Sequence, residues 1–242
     1  MGSMGLMRNL ITGLGNIVYP KTCHICKNAS VAELVCTACW SKIKLNLPPF
    51  CRSCGRNLTG RKSVKNVCSS CIRQTLYFDR AFSPCLYEGT VKELIHAFKY
   101  TGKDYLSAIL AKPMIEFIKE YNLPIGIIDA IMPIPLSKTK LREREFNHAL
   151  LLARHIAGEF NKQVAEDKLL RLRNTRSQTE LDDAGRFLNV KDAFSVNNRQ
   201  AINGKNILLI DDVLTTGATA SEAAKALKMA GTNIVYVLTL AS

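Results

Sequence analysis

The chain has 242 residues, 47% hydrophobic and 22% charged, with a formal net charge of +13. That length holds one core of about 150 residues plus a smaller unit, and the composition excludes a disordered or low-complexity chain. The charge is lopsided: residues 1–76 carry eleven Lys/Arg against one acid, Glu33, and the rest carries 22 against 19, which points to a polyanionic partner, nucleic acid first and a membrane surface second.

Met1-Gly-Ser-Met4 reads as an added leader ahead of a start at Met4 or Met7. Residues 6–18 predict a short amphipathic helix, broken by Arg8, Asn9, Gly13, Gly15 and Asn16. The run is too short to span a bilayer and lacks a small-residue cleavage site. A cytoplasmic protein without a transmembrane segment is expected, with peripheral membrane association open to its basic surface.

Eight of the nine cysteines follow as four Cys-x-x-Cys pairs: Cys23/Cys26, Cys36/Cys39, Cys51/Cys54 and Cys68/Cys71. Spacers of nine and thirteen residues separate the pairs within each half. One such turn presents two sulfurs to one side of a metal, so tetrahedral zinc needs two turns converging. Four pairs predict two structural zinc sites. A disulfide scaffold is the alternative, but no signal peptide is visible and disulfides are rare in a reducing cytosol. Four redox-active pairs in one small unit are implausible. Sequential and interleaved pairing of the turns both remain open. His24 is expected to be a surface histidine rather than a ligand, and the unpaired Cys85 a core residue. Arg52, Arg56, Arg61, Lys62 and Lys65, interleaved with Trp40 and Phe50, are candidate contacts to single-stranded DNA. The two aromatics are equally readable as the unit's own core. Eight thiolates and two Zn²⁺ would reduce the basic excess of this segment to about +6.

From about Leu76 the composition becomes that of an α/β protein, giving expected units at 1–75 and 76–242. Residues 77–87 can form strands. Val91, Leu94, Ile95 and Phe98 mark a helix ending near Gly102, and a second helix runs from Tyr105 to about Tyr121. Residues 127–134 read as a buried strand, after which Pro133 and Pro135 force an extended segment. Pro135, Leu136 and Lys138 lead through Lys140, Arg142 and Arg144, read as a basic loop where a second phosphate group would be met. A helix with Phe146, Leu150, Ala153, Ala157 and Phe160 on its face comes next. Residues 169–194, with Arg171, Arg173, Arg176, Gln178 and Arg186 and few apolar residues, predict a long, partly mobile loop. Strand and helix alternate throughout, which argues for a mostly parallel sheet with helices on both faces.

The most informative stretch is 206–220. Ile207–Ile210 reads as a buried strand with Asp211 and Asp212 at its carboxyl end. Val213 and Leu214 lead to the turn Thr215-Thr216-Gly217-Ala218-Thr219, and a helix follows with Ala220, Ala223, Ala224 and Leu227 on one face, stopped at Gly231. Backbone N–H groups and threonine hydroxyls at a helix start hold a phosphate. Two adjacent carboxylates accept hydrogen bonds from a diol. A phosphorylated ribose satisfies both. A Walker B strand is the other reading of Ile-Leu-Leu-Ile-Asp-Asp, but it requires a G-x-x-x-x-G-K-[ST] loop, which the sequence lacks. Residues 233–240 supply a final buried strand.

The 207–219 stretch resembles the 5-phosphoribosyl-1-pyrophosphate (PRPP) motif of type I phosphoribosyltransferases. The whole chain resembles the ComF (ComFC/GntX-like) family, in which a double zinc ribbon precedes a phosphoribosyltransferase-like fold. The Cys-x-x-Cys set, Tyr87-Glu88-Gly89, Lys99-Tyr100, Pro133–Leu136, Arg142-x-Arg144-x-Phe146-Asn147, Arg173-x-x-x-x-Gln178-x-x-Leu181, Arg186 with Asn189, Ala193-Phe194 and Asp211–Thr219 carry the likeness in order. Where the family usually has Gly-Phe-Asn-Gln, this chain has Glu145-Phe146-Asn147-His148, so no role is carried over to His148. The resemblance implies binding of PRPP with Mg²⁺ and a part in natural transformation, handling incoming single-stranded DNA. Implied partners are a competence helicase and recombination mediator proteins. Two function classes follow: a DNA-handling module whose pocket serves binding or regulation, and a working phosphoribosyltransferase of nucleotide salvage. Charge and zinc unit favour the first; the intact motif keeps the second open. Catalytic residues, acceptor and oligomeric state are not readable.

Overall fold

A computed structural model of the chain describes residues 22–28, 34–100, 102–174 and 183–242. The helix expected over 6–18 falls outside them, as do Arg176 and Gln178. Seven strands matter to the site: β1 (Arg80–Phe82), β2 (Ala130–Pro133), β3 (Gln163–Val164), β4 (Leu169–Arg171), β5 (Phe194–Val196), β6 (Asn206–Val213) and β7 (Ile234–Ala241). Five form one sheet in the order β1-β7-β6-β2-β3, every neighbour parallel. The described helices that follow β1 are α1 (Gly89–Tyr100), α2 (Leu106–Glu120), α3 (Lys138–Arg144), α4 (His148–Phe160), α5 (Asp183–Val190) and α6 (Ala218–Met229).

Both faces of the sheet are covered, which is why its central strands are apolar without interruption. Leu208, Ile210, Leu238 and Leu240 point to one side, into a core shared with Phe98, Leu110 and Leu152 of α1, α2 and α4. Ile207, Leu209, Val235 and Val237 point to the other, against Ala220, Ala223, Ala224 and Leu227 of α6. The expected helical face of α6 is the observed one, and Gly231 follows with φ 93°. The buried face of α4 is Ala149, Leu152, Ala153, Ile156 and Ala157, so Leu150 and Phe160 lie at its margin rather than its centre.

The cysteine-rich segment straddles the β1 edge. Cys23, Val35 and Cys39 belong to the α1/α2 core. Cys51, Cys54, Leu58 and Cys68 belong to the α6 core. Asn46 joins the halves: its side-chain amide donates to the Gly55 and Ser83 carbonyls at 2.9 and 2.7 Å, and its oxygen accepts from Asn57 N–H at 2.9 Å. Gly55, at φ 72°, lies so close to β1 that a Cβ would come within 2.3 Å of the Ala81 carbonyl oxygen. Ala81 N–H in turn donates to Ser53 at 2.8 Å, so the ribbon covers an otherwise open strand edge.

Four sequence expectations need correction. The strand over 77–87 contracts to Arg80–Phe82, because Pro84 offers no N–H and beyond it Cys85 N–H donates to Leu240 of β7 while Tyr87 N–H donates to Ser242 past the end of that strand. The strand over 127–134 begins at Ala130, since Ile125–Ile127 forms a 3₁₀ turn. The basic loop after Pro135 is largely helix: Ser137 caps α3 by accepting from Lys140 N–H at 3.4 Å, and Glu145 at φ 66° ends it. Residues 169–194 are not one loop. β4 pairs antiparallel with β5, Leu169 opposite Val196 and Arg171 opposite Phe194, and α5 lies between them in sequence. Leu169, Val190, Ala193 and Phe194 are the buried anchors.

Candidate functional site

The eight paired cysteines form two groups, Cys23/Cys26/Cys36/Cys39 and Cys51/Cys54/Cys68/Cys71, so the pairing is sequential. Within each, all sulfurs lie within 4.8 Å of one another. A zinc–sulfur bond of about 2.3 Å in a tetrahedron requires sulfur–sulfur distances of about 3.8 Å. Cys26–Cys36 and Cys54–Cys68 stand at 3.7 and 3.8 Å. Cys36 N–H donates to the Cys23 sulfur and Cys68 N–H to the Cys51 sulfur, each at 3.4 Å, as a knuckle around a thiolate would. Hydrogen bonds from the Cys54 and Cys71 thiols hold Cys51 well below the usual thiol range. The donor set fits zinc. His24 stands apart, its ring bonded to the Tyr105 hydroxyl at 3.0 Å. Cys85 is fully buried, and burial pushes its thiol up to about 12.

The second site lies at the carboxyl ends of β2 and β6. A cavity of about 460 Å³ is walled by Asp211, Asp212, Val213, Thr215 and Thr219 on one side. Ile134, Pro135, Leu136, Lys140, Arg144, Arg171 and Arg186 face them, and Tyr87, Lys92, His96, Lys99 and Tyr100 close the rest. Lys99 Nζ meets Asp212 at 2.8 Å. Burial opposes the charge on Lys99, but Asp212 and Asp211 outweigh it and hold its pKa above the ordinary value. Asp211 is pushed up to about 7, first by burial and then by the neighbouring Asp212 charge; Lys99, the Asp212 N–H and Arg171 pull the other way. Burial lowers Lys140, and Arg171, Arg144 and Lys99 add to it. Arg171 is lowered by burial too, opposed by Asp211, and its guanidinium lies 5.4 Å from the Phe194 ring centre. Cations crowded tightly enough to repel one another make a wall fitted to a polyanion.

Of the residues proposed for the phosphate turn, Leu214, Gly217 and Ala218 line a small recess beside Asp211, Thr215 and Thr219. Thr216 turns inward: its hydroxyl accepts from Ala218 N–H at 3.3 Å. On the opposite side Pro135, Leu136 and Arg144 line the cavity. Lys138 and Arg173 line a neighbouring groove of about 890 Å³, and Arg173 donates to the Lys191 carbonyl. Arg142 is exposed and lines neither. His148 is 2% exposed; its Nε2 donates to the Phe98 carbonyl at 2.8 Å, and burial holds its pKa down at about 4. Sequence reasoning missed Lys92 and His96. With Lys99 they fall at i, i+4 and i+7 on α1, and that basic stripe beside an apolar face was the available signal.

Arg52, Arg61, Lys62 and Lys65 are exposed around the hairpin in which Ser63–Val64 pairs with Val67–Cys68. Arg56 is not among them, because its guanidinium donates to the Leu214 carbonyl at 3.2 Å. Phe50 packs edge-on against Phe117 and Tyr121, ring centres 5.7 and 5.2 Å away, and Trp40 packs on the same core. Neither aromatic is a free stacking platform. Among the described residues no helix is long and apolar enough to cross a membrane.

Residues 14–78 match the family model of the double zinc ribbon domain. The chain is 34% identical over 202 residues to Competence protein ComFC of Bacillus subtilis, covering 81% of this chain and 78% of that protein. It is 27% identical over 221 residues to Competence protein F of Haemophilus influenzae, covering 90% and 92%. Against DNA utilization protein YhgH of Salmonella typhi, identity is 26% over 227 residues, covering 91% and 96%. Among solved structures, it is similar to the allosteric regulatory enzyme of purine biosynthesis, with TM-score 0.35 and 19% identity over 57% of this chain and 25% of that one.

Proposed function

The chain belongs to the ComF family of competence proteins, and from that premise we propose that it binds PRPP with Mg²⁺ in the β2/β6 cavity and handles single-stranded DNA during uptake for transformation. The observation that carries the ligand is the order of groups around one cavity: two carboxylates, a threonine turn entering a helix, and a facing wall of Lys140, Arg144 and Arg171. Thr215, Thr219 and the turn's N–H groups take the 5′-phosphate. Asp211 and Asp212 accept from the ribose diol. Lys140, Arg144 and Arg171 neutralise the pyrophosphate, with Arg186 closing the wall. The hard carboxylate oxygens of Asp211 and Asp212 fit Mg²⁺ and would hold it, and the ion would supply charge neutralisation to the bound ligand.

The second zinc ribbon takes the nucleic acid on the exposed cations of its hairpin, away from the cavity. Cytoplasmic location, the division into units 1–75 and 76–242, and work beside a competence helicase and recombination mediators belong to the same proposal. A working transferase is the second reading, favoured by the carboxylate pair and the threonine turn standing together at one cavity. PRPP with Mg²⁺ should raise the melting temperature, and Asp211→Ala with Asp212→Ala should abolish the shift. An undiminished shift in the double variant would place the ligand elsewhere, and pyrophosphate release in the same samples would select the second reading.

A further inference from the structure

The turn between β6 and α6 rests on the second ribbon and the segment that leaves it. Arg56 donates to the Leu214 carbonyl at 3.2 Å, and the Gln74 side-chain amide donates to the Thr216 carbonyl at 3.3 Å. Further on, Tyr77 N–H donates to the Ser221 hydroxyl at 3.1 Å. Leu76 and Phe78 lie under Gly217, which holds φ 83°. A Cβ there would stand 3.6 Å from Leu76 and 3.7 Å from Phe78. The turn therefore has a floor, and Arg56 and Gln74 bring part of it from the cysteine-rich segment.

Across a trans peptide the carbonyl of one residue and the N–H of the next point in opposite directions. Holding the Leu214 carbonyl toward the ribbon turns the Thr215 N–H away from it. Holding the Thr216 carbonyl does the same for the Gly217 N–H. Neither N–H makes a hydrogen bond within the described residues. Thr215 and Gly217 both line the recess beside Asp211. We propose that Arg56 and Gln74 are positioning residues of the anion site, orienting the two turn peptides whose N–H groups meet the ligand's phosphate. The second ribbon is then part of the binding site and not only a neighbour to it. The inference rests on the PRPP reading of the cavity and assigns this floor a place in it.

Arg56 is the stronger of the pair, because its hydrogen bond is charge-assisted and Leu214 is 2% exposed. Calorimetric titration of PRPP with Mg²⁺ into the full zinc-loaded chain tests the proposal, together with the amide resonances of Thr215 and Gly217 in ligand-free protein. Arg56→Met and Gln74→Leu should each weaken binding about ten-fold, Arg56→Lys should recover part of the loss, and both amides should shift in the two variants. Unchanged affinity with both amides unmoved overturns the proposal. So does lost affinity with both amides unmoved, which would mean general destabilisation. If the unmodified protein binds no PRPP while the amides still move, the ligand assignment fails and the positioning role stands.

Discussion

Asp211 sits beside a second carboxylate at the end of a strand buried on both faces, so its charged form is costly in the folded state. A folded pKa of about 7 against an ordinary 3.8 means the native state holds the proton more tightly than the unfolded chain. Stability from this group is full below the unfolded value and is lost as pH rises toward 7. His148 acts in the opposite direction: with a folded pKa of about 4 against 6.5, stability is present above 6.5 and falls away as the pH drops toward 4. Ligand-free Asp211→Asn should therefore melt several degrees higher at pH 8 with little change at pH 4, and His148→Gln should flatten the acid limb between pH 6.5 and 4. Thermal melts across pH check both, and an Asp211→Asn curve parallel to the parent's would refute the first. The carboxylates and the turn were legible because their chemistry is contiguous in sequence. Lys99 on Asp212 was not, because that ion pair spans 113 residues and depends on how α1 docks.

At the level of elements, the cysteine spacing identified both knuckle sets, but pairing needed coordinates, since either arrangement satisfies the spacing. Metal analysis should return two zinc ions per chain, each contributing on the order of 10 kcal/mol to folding its ribbon; a reproducible value of one would sink the double site. Chelation should also lower the melting temperature of the α/β part, because Cys51, Cys54, Leu58 and Cys68 share a core with α6. Long periodic helices were readable, α1 and α2 to within a residue or two at their expected ends. The short α3 was not: seven residues give too little apolar period, and its signal was the Ser137 cap behind two prolines. The β4/β5 pair was hidden for a related reason. Three-residue strands exposing Leu170 and Arg-rich flanks have no pattern until they find each other.

Over the whole molecule, the proposed polyanion surface and the PRPP cavity are served by different residues. Arg52, Arg61, Lys62 and Lys65 remain on the hairpin surface, and Arg56 has been drawn inward. Log affinity for single-stranded DNA should fall with log salt at about −0.7 per phosphate neutralised. Reversing Arg61, Lys62 and Lys65 to Glu should weaken binding and flatten that slope while preserving the PRPP-induced melting shift. Unaltered DNA affinity at low salt would reduce the ribbon to a structural role. The ribbon's cover over β1 bears on the order of events as the chain is made. Arg80 pairs with Tyr236, so the edge strand waits for a partner far along the chain, and such distant parallel pairing is slow. The four ligands of each zinc site lie within twenty-one residues of chain. The ribbon ligands can thus come together before β7 exists, and Gly55 and Ser53 lie along the outer edge of β1, the side that β7 never covers.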